Sequence, residues 1–225
     1  LTELSAEDRA FIRGQYDGAI RHADRVLEAF FRDLDAMGFL ESAVVMVTAD
    51  HGEEFGEHGG LLHRGMLYEE SIRVPLILRG PGVPAGRVDG RLASLVDIAP
   101  TLLTRAGIHP PPRMAGRNLL LPGGAGSQEA VFTQYGPLRY GVRTLEWKFI
   151  LNAEPRSVEL YKLRADPGER NNLAGERPEV ARRLERILRE WRGSLPVLDE
   201  GPQAAPGPTE EERIRLRGLG YLTGP

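Results

Sequence analysis

Cysteine, long apolar runs and an excess of basic residues are all missing from this sequence of 225 residues. The absence of cysteine excludes disulfides and leaves the cellular compartment open. No apolar run approaches the roughly 18 residues that a membrane-spanning helix needs, so the sequence predicts no transmembrane segment. The formal net charge of −3 favours neither nucleic acid nor an anionic membrane surface as a partner. The chain contains 41% hydrophobic and 27% charged residues, which is an ordinary globular composition. Its length is sufficient for one sizeable domain, or for one domain and part of another.

An apolar, valine-rich run over residues 43–49 stops at Asp50, His51 and Gly52. A continuous run of this kind is typical of a strand covered on both faces, as in a parallel sheet flanked by helices. The ligands of α/β proteins gather at the carboxyl ends of such strands. An Asp–His pair there offers a carboxylate oxygen and an imidazole nitrogen to a divalent cation. On local spacing alone a structural alternative stays open, in which Asp50 caps the following turn.

Further acidic and imidazole side chains follow the strand end within residues 53–63. They are Glu53, Glu54, Glu57, His58 and His63. Such crowding favours a metal-dependent active site over a simple turn, because several ligands or proton carriers come from one short segment. Glu53 and Glu54 are interpreted as residues that orient the loop and not as metal ligands.

The order of these residues continues in a longer pattern. Thr-Ala-Asp-His-Gly-Glu-Glu-Phe-Gly-Glu-His-Gly occupies residues 48–59, His63 follows, and Tyr-Glu-Glu-Ser-Ile-Arg-Val-Pro occupies residues 68–75. This pattern resembles the sulfatase family of the alkaline phosphatase superfamily, in the part of the catalytic domain that follows the nucleophile. Segments further downstream are similar to the small C-terminal sheet domain of the same family. The resemblance covers nearly the whole chain, from about Tyr16 to the end.

The resemblance implies an α/β fold, with part of a mixed, mainly parallel sheet flanked by helices, as in alkaline phosphatase, and a small antiparallel sheet plus helix at the C-terminus. Residues 1–125 are expected to form the C-terminal half of the catalytic domain. Residues 126–196 are expected to form the small sheet-and-helix subdomain, and residues 197–225 a linker and a terminal helix.

Local patterns predict several elements of this fold. Apolar spacings of three, four and seven predict an amphipathic helix over residues 6–37, with Ser5 as its N-cap and Gly38 as its stop. Turn signals between short apolar segments predict a four-stranded antiparallel meander over residues 131–163. An apolar stripe over residues 178–191 predicts a helix that covers one face of the meander.

The resemblance also implies roles for residues near the strand end. Asp50 and His51 would be metal ligands, and His63 would be the catalytic residue that contacts the transferred group or the leaving oxygen. A histidine can both bind an anion and donate a proton to a departing alkoxide. His58 and Arg64 are interpreted as substrate-binding residues, with a structural role and an ordinary surface charge as their respective alternatives.

Two further expectations concern the site. Arg73 is predicted to pair with Glu69 or Glu70 and so hold the loop. The cofactor would be a divalent metal ion, Ca²⁺ by family, with Mn²⁺ or Zn²⁺ as alternatives because an imidazole is present. A formylglycine made from cysteine or serine is expected in the missing N-terminal half, since the sequence holds neither cysteine nor a Ser-x-Pro-x-Arg motif.

The function expected from this pattern is metal-dependent hydrolysis of sulfate esters by a sulfatase, of which this chain is a fragment that is inactive alone. One alternative is a phosphodiesterase, phosphonate monoester hydrolase or phosphoethanolamine transferase of the same superfamily, because fold does not fix chemistry. Another is a noncatalytic fragment. The expected partner is an anionic sulfate or phosphate ester. Oligomeric state and localisation stay open, with a periplasmic or secreted location as one alternative.

Overall fold

The structure, a computed structural model, describes residues 4–63, 65–121, 129–195 and 208–218. The boundaries expected near residues 125 and 196 fall outside these ranges. In chain order the elements are α1 (Ala6–Ala36), β1 (Val45–Thr48), β2 (Glu54–Phe55), β3 (Leu61–Leu62), α2 (Glu69–Ile72), β4 (Leu76–Arg79), α3 (Ile98–Arg105), β5 (Val131–Tyr135), β6 (Arg139–Arg143), β7 (Trp147–Asn152), β8 (Ser157–Lys162), α4 (Pro178–Ser194) and α5 (Glu210–Gly218).

Helix α1 begins and ends where the sequence predicts. The Ser5 hydroxyl accepts the Asp8 backbone N–H at 3.0 Å, and the Asp8 carboxylate accepts the Ser5 backbone N–H at 3.0 Å, which is a capping box. Gly38 stops the helix with a left-handed φ of 77°, a conformation that glycine adopts without a Cβ penalty. The predicted helix forms and carries the apolar stripe. No residue of α1 is buried, so the other described residues do not cover that stripe.

Strand β1 pairs with β4, and the pairing is antiparallel, with Val45 opposite Arg79 and Thr48 opposite Leu76. All strand pairs among the described residues are antiparallel, so the parallel pairs expected at the valine-rich strand are not formed by these residues. The chain returns to β4 directly at the end where β1 stops, whereas a parallel return needs a crossover to the opposite end. The residues of β1 are only half-buried.

The C-terminal part forms the predicted meander, in the order β5-β6-β7-β8, and α4 packs on one of its faces. The buried core between them comprises Ala130, Tyr140, Val142, Phe149, Leu151, Leu160, Ala181, Leu184 and Leu188. The Phe132 and Trp191 rings stack there with centroids 4.7 Å apart. Ile150 on the opposite face packs with Leu67 of the loop that precedes α2, because side chains alternate between the two faces of a strand. The sheet is therefore covered on both faces.

Two shorter helices complete the fold. Pro100 lies in the first turn of α3, where its missing N–H costs no hydrogen bond. Helix α5 follows Thr209, whose hydroxyl is hydrogen-bonded to the Glu212 carboxylate at 2.8 Å. In the part of the chain that the structure describes, no helix combines the length and apolar character of a membrane span.

Candidate active site

Asp50 and His51 lie together in the turn that follows β1. The Asp50 Oδ1 accepts the His51 backbone N–H at 3.0 Å, and Oδ2 lies 3.7 Å from the ring nitrogen Nε2. The other ring nitrogen, Nδ1, lies 2.8 Å from the Gly52 carbonyl oxygen. A carbonyl oxygen can only accept, so Nδ1 donates this hydrogen bond. Metal-binding histidines are usually oriented by such a bond on the nitrogen that does not bind the metal.

The two side chains fit a divalent cation as part of its ligand shell. The Asp50 carboxylate oxygen and the His51 Nε2 lie near each other, and Asp50 is exposed. A structural zinc site takes four ligands and a calcium site about six to eight. No group of three or more His, Cys, Asp or Glu residues suited to a metal exists in the described part of the chain. Asp50 and His51 are a pair of candidate donors that the described residues bring together after β1.

Gly52 allows α2 to pack directly on the turn. Its backbone N–H donates to the Ser71 carbonyl oxygen at 2.8 Å, and a Cβ added at Gly52 would lie 1.9 Å from the Glu70 carbonyl oxygen. The glycine is therefore required by a close backbone approach. The short helix α2 consequently fixes the position of the Asp50–His51 turn.

A small hairpin brings His63 back to His51. Strands β2 and β3 pair antiparallel, and the loop between them contains Gly56 and Gly59 with φ values of 89° and 79°. Leu62, directly before His63, has a φ of 68°, an uncommon conformation for a bulky residue and one found at functional sites. The His63 ring stacks on His51 with centroids 4.4 Å apart. Asp50, His51 and His63, predicted to share a site, are therefore neighbours.

Glu53 lies beside His63. Its Oε2 is 3.6 Å from the His63 Nδ1, and both side chains are largely buried. The carboxylate therefore lies next to the imidazole without a direct hydrogen bond between these two atoms. The sequence predicted that Glu53 orients the loop and is not a metal ligand. The structure places Glu53 next to His63.

His58 lies elsewhere. Its Nδ1 is 2.5 Å from Glu70 Oε1, its Nε2 is 3.0 Å from the Glu169 carbonyl oxygen, and its ring stacks on Tyr68 at 3.6 Å. Both partners are acceptors, so both nitrogens donate and the ring is an imidazolium. Burial lowers the His58 pKa, but the Glu70 carboxylate and the Glu169 carbonyl outweigh it and raise the pKa above its usual value. These contacts are those of the structural alternative, and the substrate contact of His58 stays a prediction. Arg64, the other predicted substrate-binding residue, lies outside the described residues.

The Tyr-Glu-Glu motif docks on the C-terminal sheet. The Tyr68 hydroxyl donates to Glu159 at 2.8 Å, and the Glu69 carboxylate lies 3.1 Å from Arg143 and 3.4 Å from Lys148. Burial raises the Glu69 pKa, but these two cations outweigh it and keep the pKa below its usual value. The expected pairing of Arg73 with Glu69 or the next glutamate is wrong. Residues more than 70 positions away in the sequence supply closer cations.

A cleft of about 570 Å³ lies between the site turn and the C-terminal sheet. Asp50, His51 and His63 line it on one side, and strand β5 lines it on the other. Among the described residues, Arg73, Arg91 and Arg143 line the cleft. Arg91 is paired with Asp89 at 2.6 Å and Arg143 with Glu69 at 3.1 Å. Arginine side chains are suited to anionic ligands. Sequence reasoning missed these lining residues, because no local motif marks an arginine that only the fold brings to the cleft.

Comparisons with known proteins identify the family. The sulfatase family model matches residues 5–108. Mouse arylsulfatase K is 35% identical over 195 residues, a region that is 79% of this chain and 35% of the relative. The chain thus spans about a third of the length of the curated relatives that it matches.

Solved structures give the same result for the fold. A protein solved in complex with its substrate D-glucosamine-2-N,6-O-disulfate is 29% identical, with a TM-score of 0.69, over 77% of this chain and 39% of its own. The phosphonate monoester hydrolase of Agrobacterium radiobacter is 28% identical, with a TM-score of 0.75, over 85% of this chain and 43% of its own. The fold is that of the alkaline phosphatase superfamily. Within it, the chain belongs to the sulfatase family.

Proposed function

We propose that this chain is the part of a longer sulfatase that supplies Asp50 and His51 to a divalent metal site, and that the whole enzyme hydrolyses sulfate esters. The observation that carries the proposal is the 3.7 Å approach of the Asp50 carboxylate to His51 Nε2, with His63 stacked on the same ring. The relatives named arylsulfatase are about three times longer than the region matched here, which leaves room for further ligands and the nucleophile.

The metal-binding residues act by their fixed geometry. The Gly52 carbonyl oxygen accepts a hydrogen bond from His51 Nδ1, and the His51 Nε2 lies beside Asp50. A bound divalent cation would neutralise the oxygens of the ester and stabilise charge that develops on the transferred group. We propose Ca²⁺ by family, with Mn²⁺ or Zn²⁺ as alternatives because a nitrogen donor is present.

His63 is proposed to transfer a proton to the departing oxygen of the ester. It lines the cleft beside His51, and Glu53 lies 3.6 Å from its Nδ1. A histidine that lines the cleft can donate a proton to a departing alkoxide when the ester is bound beside it. The cleft arginines are proposed to bind the anionic ester. The nucleophile, a formylglycine made from cysteine or serine, is assigned to the rest of the longer protein.

A second candidate, hydrolysis of phosphonate or phosphate esters, is favoured by one observation. The structural neighbour named phosphonate monoester hydrolase matches more of this chain than the sulfated-sugar complex does, 85% against 77%. The same donor pair would serve either reaction, because both transfer an anionic tetrahedral group past a cation.

The test is to assay the whole protein on an aryl sulfate and on an aryl phosphonate, with and without a metal chelator. We expect sulfate hydrolysis that the chelator abolishes. Asp50→Asn should lower kcat/KM by about 10²- to 10³-fold, which is the scale expected when a key electrostatic group is removed. Asp17→Asn, an exposed aspartate on α1, is the control and should have no effect.

Two results would contradict the proposal. Chelator-resistant hydrolysis would exclude the metal site, and an Asp50→Asn variant with full activity would exclude Asp50 as a ligand. A preference for the phosphonate would establish the second candidate instead. The 225-residue chain alone is expected to be inactive on both esters.

A further inference from the structure

The sequence contains only two lysines, Lys148 and Lys162, among 29 basic residues counted as lysine plus arginine. The Lys162 side chain is 44% exposed and pairs with Glu146 at the surface. The Lys148 side chain is 1% exposed, in the second position of the strand β7. Burial of an ammonium costs several kcal/mol unless it is well paired. Apolar packing in the sheet therefore does not account for a buried lysine at this position, and its charged partners must.

The partners of Lys148 come from outside the sheet. Its Nζ lies 2.8 Å from Glu169 Oε1 and 3.4 Å from Glu69 Oε1. The second oxygen of Glu169 accepts the Glu69 backbone N–H at 2.6 Å. Arg143 adds a second cation to the Glu69 carboxylate. The first residue of α2 is thus tied to the sheet through both its backbone and its side chain.

Helix α2 in turn contacts the turn that carries the proposed metal ligands. The Ser71 carbonyl oxygen accepts the Gly52 N–H at 2.8 Å, and the Glu70 carbonyl oxygen leaves no room for a side chain on Gly52. The Glu70 carboxylate is held by His58. A shift of α2 would therefore move the backbone directly after Asp50 and His51, because closely packed groups transmit strain.

We propose that Lys148 is a positioning residue, which holds α2 against the C-terminal sheet and thereby sets the position of the Asp50–His51 turn. The inference depends on the proposed function, in which that turn carries the metal ligands. It assigns the C-terminal sheet a part in ordering the site in addition to lining the cleft. Partners that only orient metal ligands typically change metal affinity by about 10- to 100-fold when they are removed.

The test uses three variants. Lys148→Met removes the charge and keeps a side chain of similar length. Lys148→Met/Glu169→Gln also removes the carboxylate left without its ammonium and keeps an oxygen for the Glu69 N–H, so this variant is designed to fold even where the single one does not. Lys162→Met is the matched control, since it removes the other lysine and its ion pair from the same sheet.

The first measurement is hydrogen–deuterium exchange on the metal-free chain. We expect at least tenfold faster exchange in peptides covering residues 50–55 and 68–73 of both Lys148 variants, with unchanged exchange in β5–β8 and α4 of the double variant. Lys162→Met should exchange as the wild type does. Wild-type exchange at residues 50–55 in the double variant would overturn the proposal. An equal increase throughout the sheet would also overturn it, because Lys148 would then only stabilise its own subdomain.

The second measurement is the metal concentration needed for half-maximal activity of the whole protein, titrated with Mn²⁺ or Ca²⁺. We expect an increase of about 10- to 100-fold for both Lys148 variants and none for Lys162→Met. An unchanged value for the double variant counts against the positioning role. If the wild type hydrolyses no ester but the localised exchange effect is present, the proposed function fails and the mechanical role of Lys148 stands.

Discussion

The C-terminal sheet with α4 and the amino-terminal elements α1, β1 and β4 differ sharply in how well they are covered. Phe149 and Leu184 at the centre of the first region are fully buried. Helix α1 has no buried residue, and its Phe11, Ile20 and Phe30 are more than half exposed. Both regions nevertheless show clear apolar patterns in the sequence. A pattern therefore tells which face of an element is apolar, and it does not tell what covers that face.

The turn that carries Asp50 and His51 lies at the boundary of these two regions. It follows β1, whose residues are only half-buried. Helix α2 contacts the turn at Gly52, and Glu69 of α2 is in turn bound to Glu169 of the C-terminal part. We infer that the covered region orders the site. The exposed apolar face of α1 is proposed to pack on the remainder of the longer enzyme.

The largest difference between the two regions is expected from phenylalanine truncation. Phe149→Ala should lower the free energy of unfolding by about 3–5 kcal/mol, because it opens a cavity in a closed core. Phe30→Ala, on the 54% exposed side chain in α1, should change it by no more than about 0.5 kcal/mol. Chemical denaturation of both variants of the 225-residue chain measures this. Equal losses would show that α1 is packed within this chain in solution and would break the comparison.

A smaller effect is expected from adding one methyl group to a glycine in each region. Gly52→Ala should destabilise by about 1–3 kcal/mol, because its Cβ meets the Glu70 carbonyl oxygen and overpacking of this kind strains the backbone. Gly14→Ala meets nothing within 4 Å and should stabilise α1 by about 0.5–1 kcal/mol. The melting temperature should fall for Gly52→Ala and rise for Gly14→Ala, and thermal unfolding measures both changes. A harmless Gly52→Ala would mean that α2 does not press on the site turn.

The capping box of α1 gives the next effect. Ser5→Ala should cost about 1 kcal/mol of local helix stability, because the Asp8 N–H loses its acceptor. Tertiary contacts hold α1 weakly, so the loss should appear as faster amide exchange in the first two turns. Exchange measured by NMR checks this, with Ser42→Ala after the helix as control. Unchanged exchange in Ser5→Ala would show that packing holds this end.

The smallest effect is expected from pH. The raised pKa of His58 means that the imidazolium contributes stability fully at pH below about 6.5, the usual histidine value. The contribution is lost as pH rises through the higher folded pKa. The melting temperature of the wild type should therefore exceed that of His58→Gln most at low pH. A difference that is constant with pH would exclude the charged bridge to Glu70. His22→Gln on exposed α1 serves as control.

The sequence predicted the local elements well. The start and end of α1, the four strands of the meander and the start of α4 were readable, because capping, glycine stops and apolar periodicity act over a few neighbouring residues. Asp50, His51 and His63 were predicted as site residues from their order along the chain, and the structure brings them together. The antiparallel pairing of β1 was not readable, since a strand pattern does not state its partner.

By itself, the sequence determined which faces are apolar and which candidate site residues follow β1, because both are set by side-chain type and short spacing. Only the tertiary structure decided which charged side chains pair. Lys148 contacts Glu69, 79 positions away in the sequence, and Glu69 pairs with this lysine instead of with Arg73. It likewise placed His58 between Glu70 and Glu169, away from the cleft. Charge pairs follow distance in space, and spacing along the chain sets that distance only within a single element.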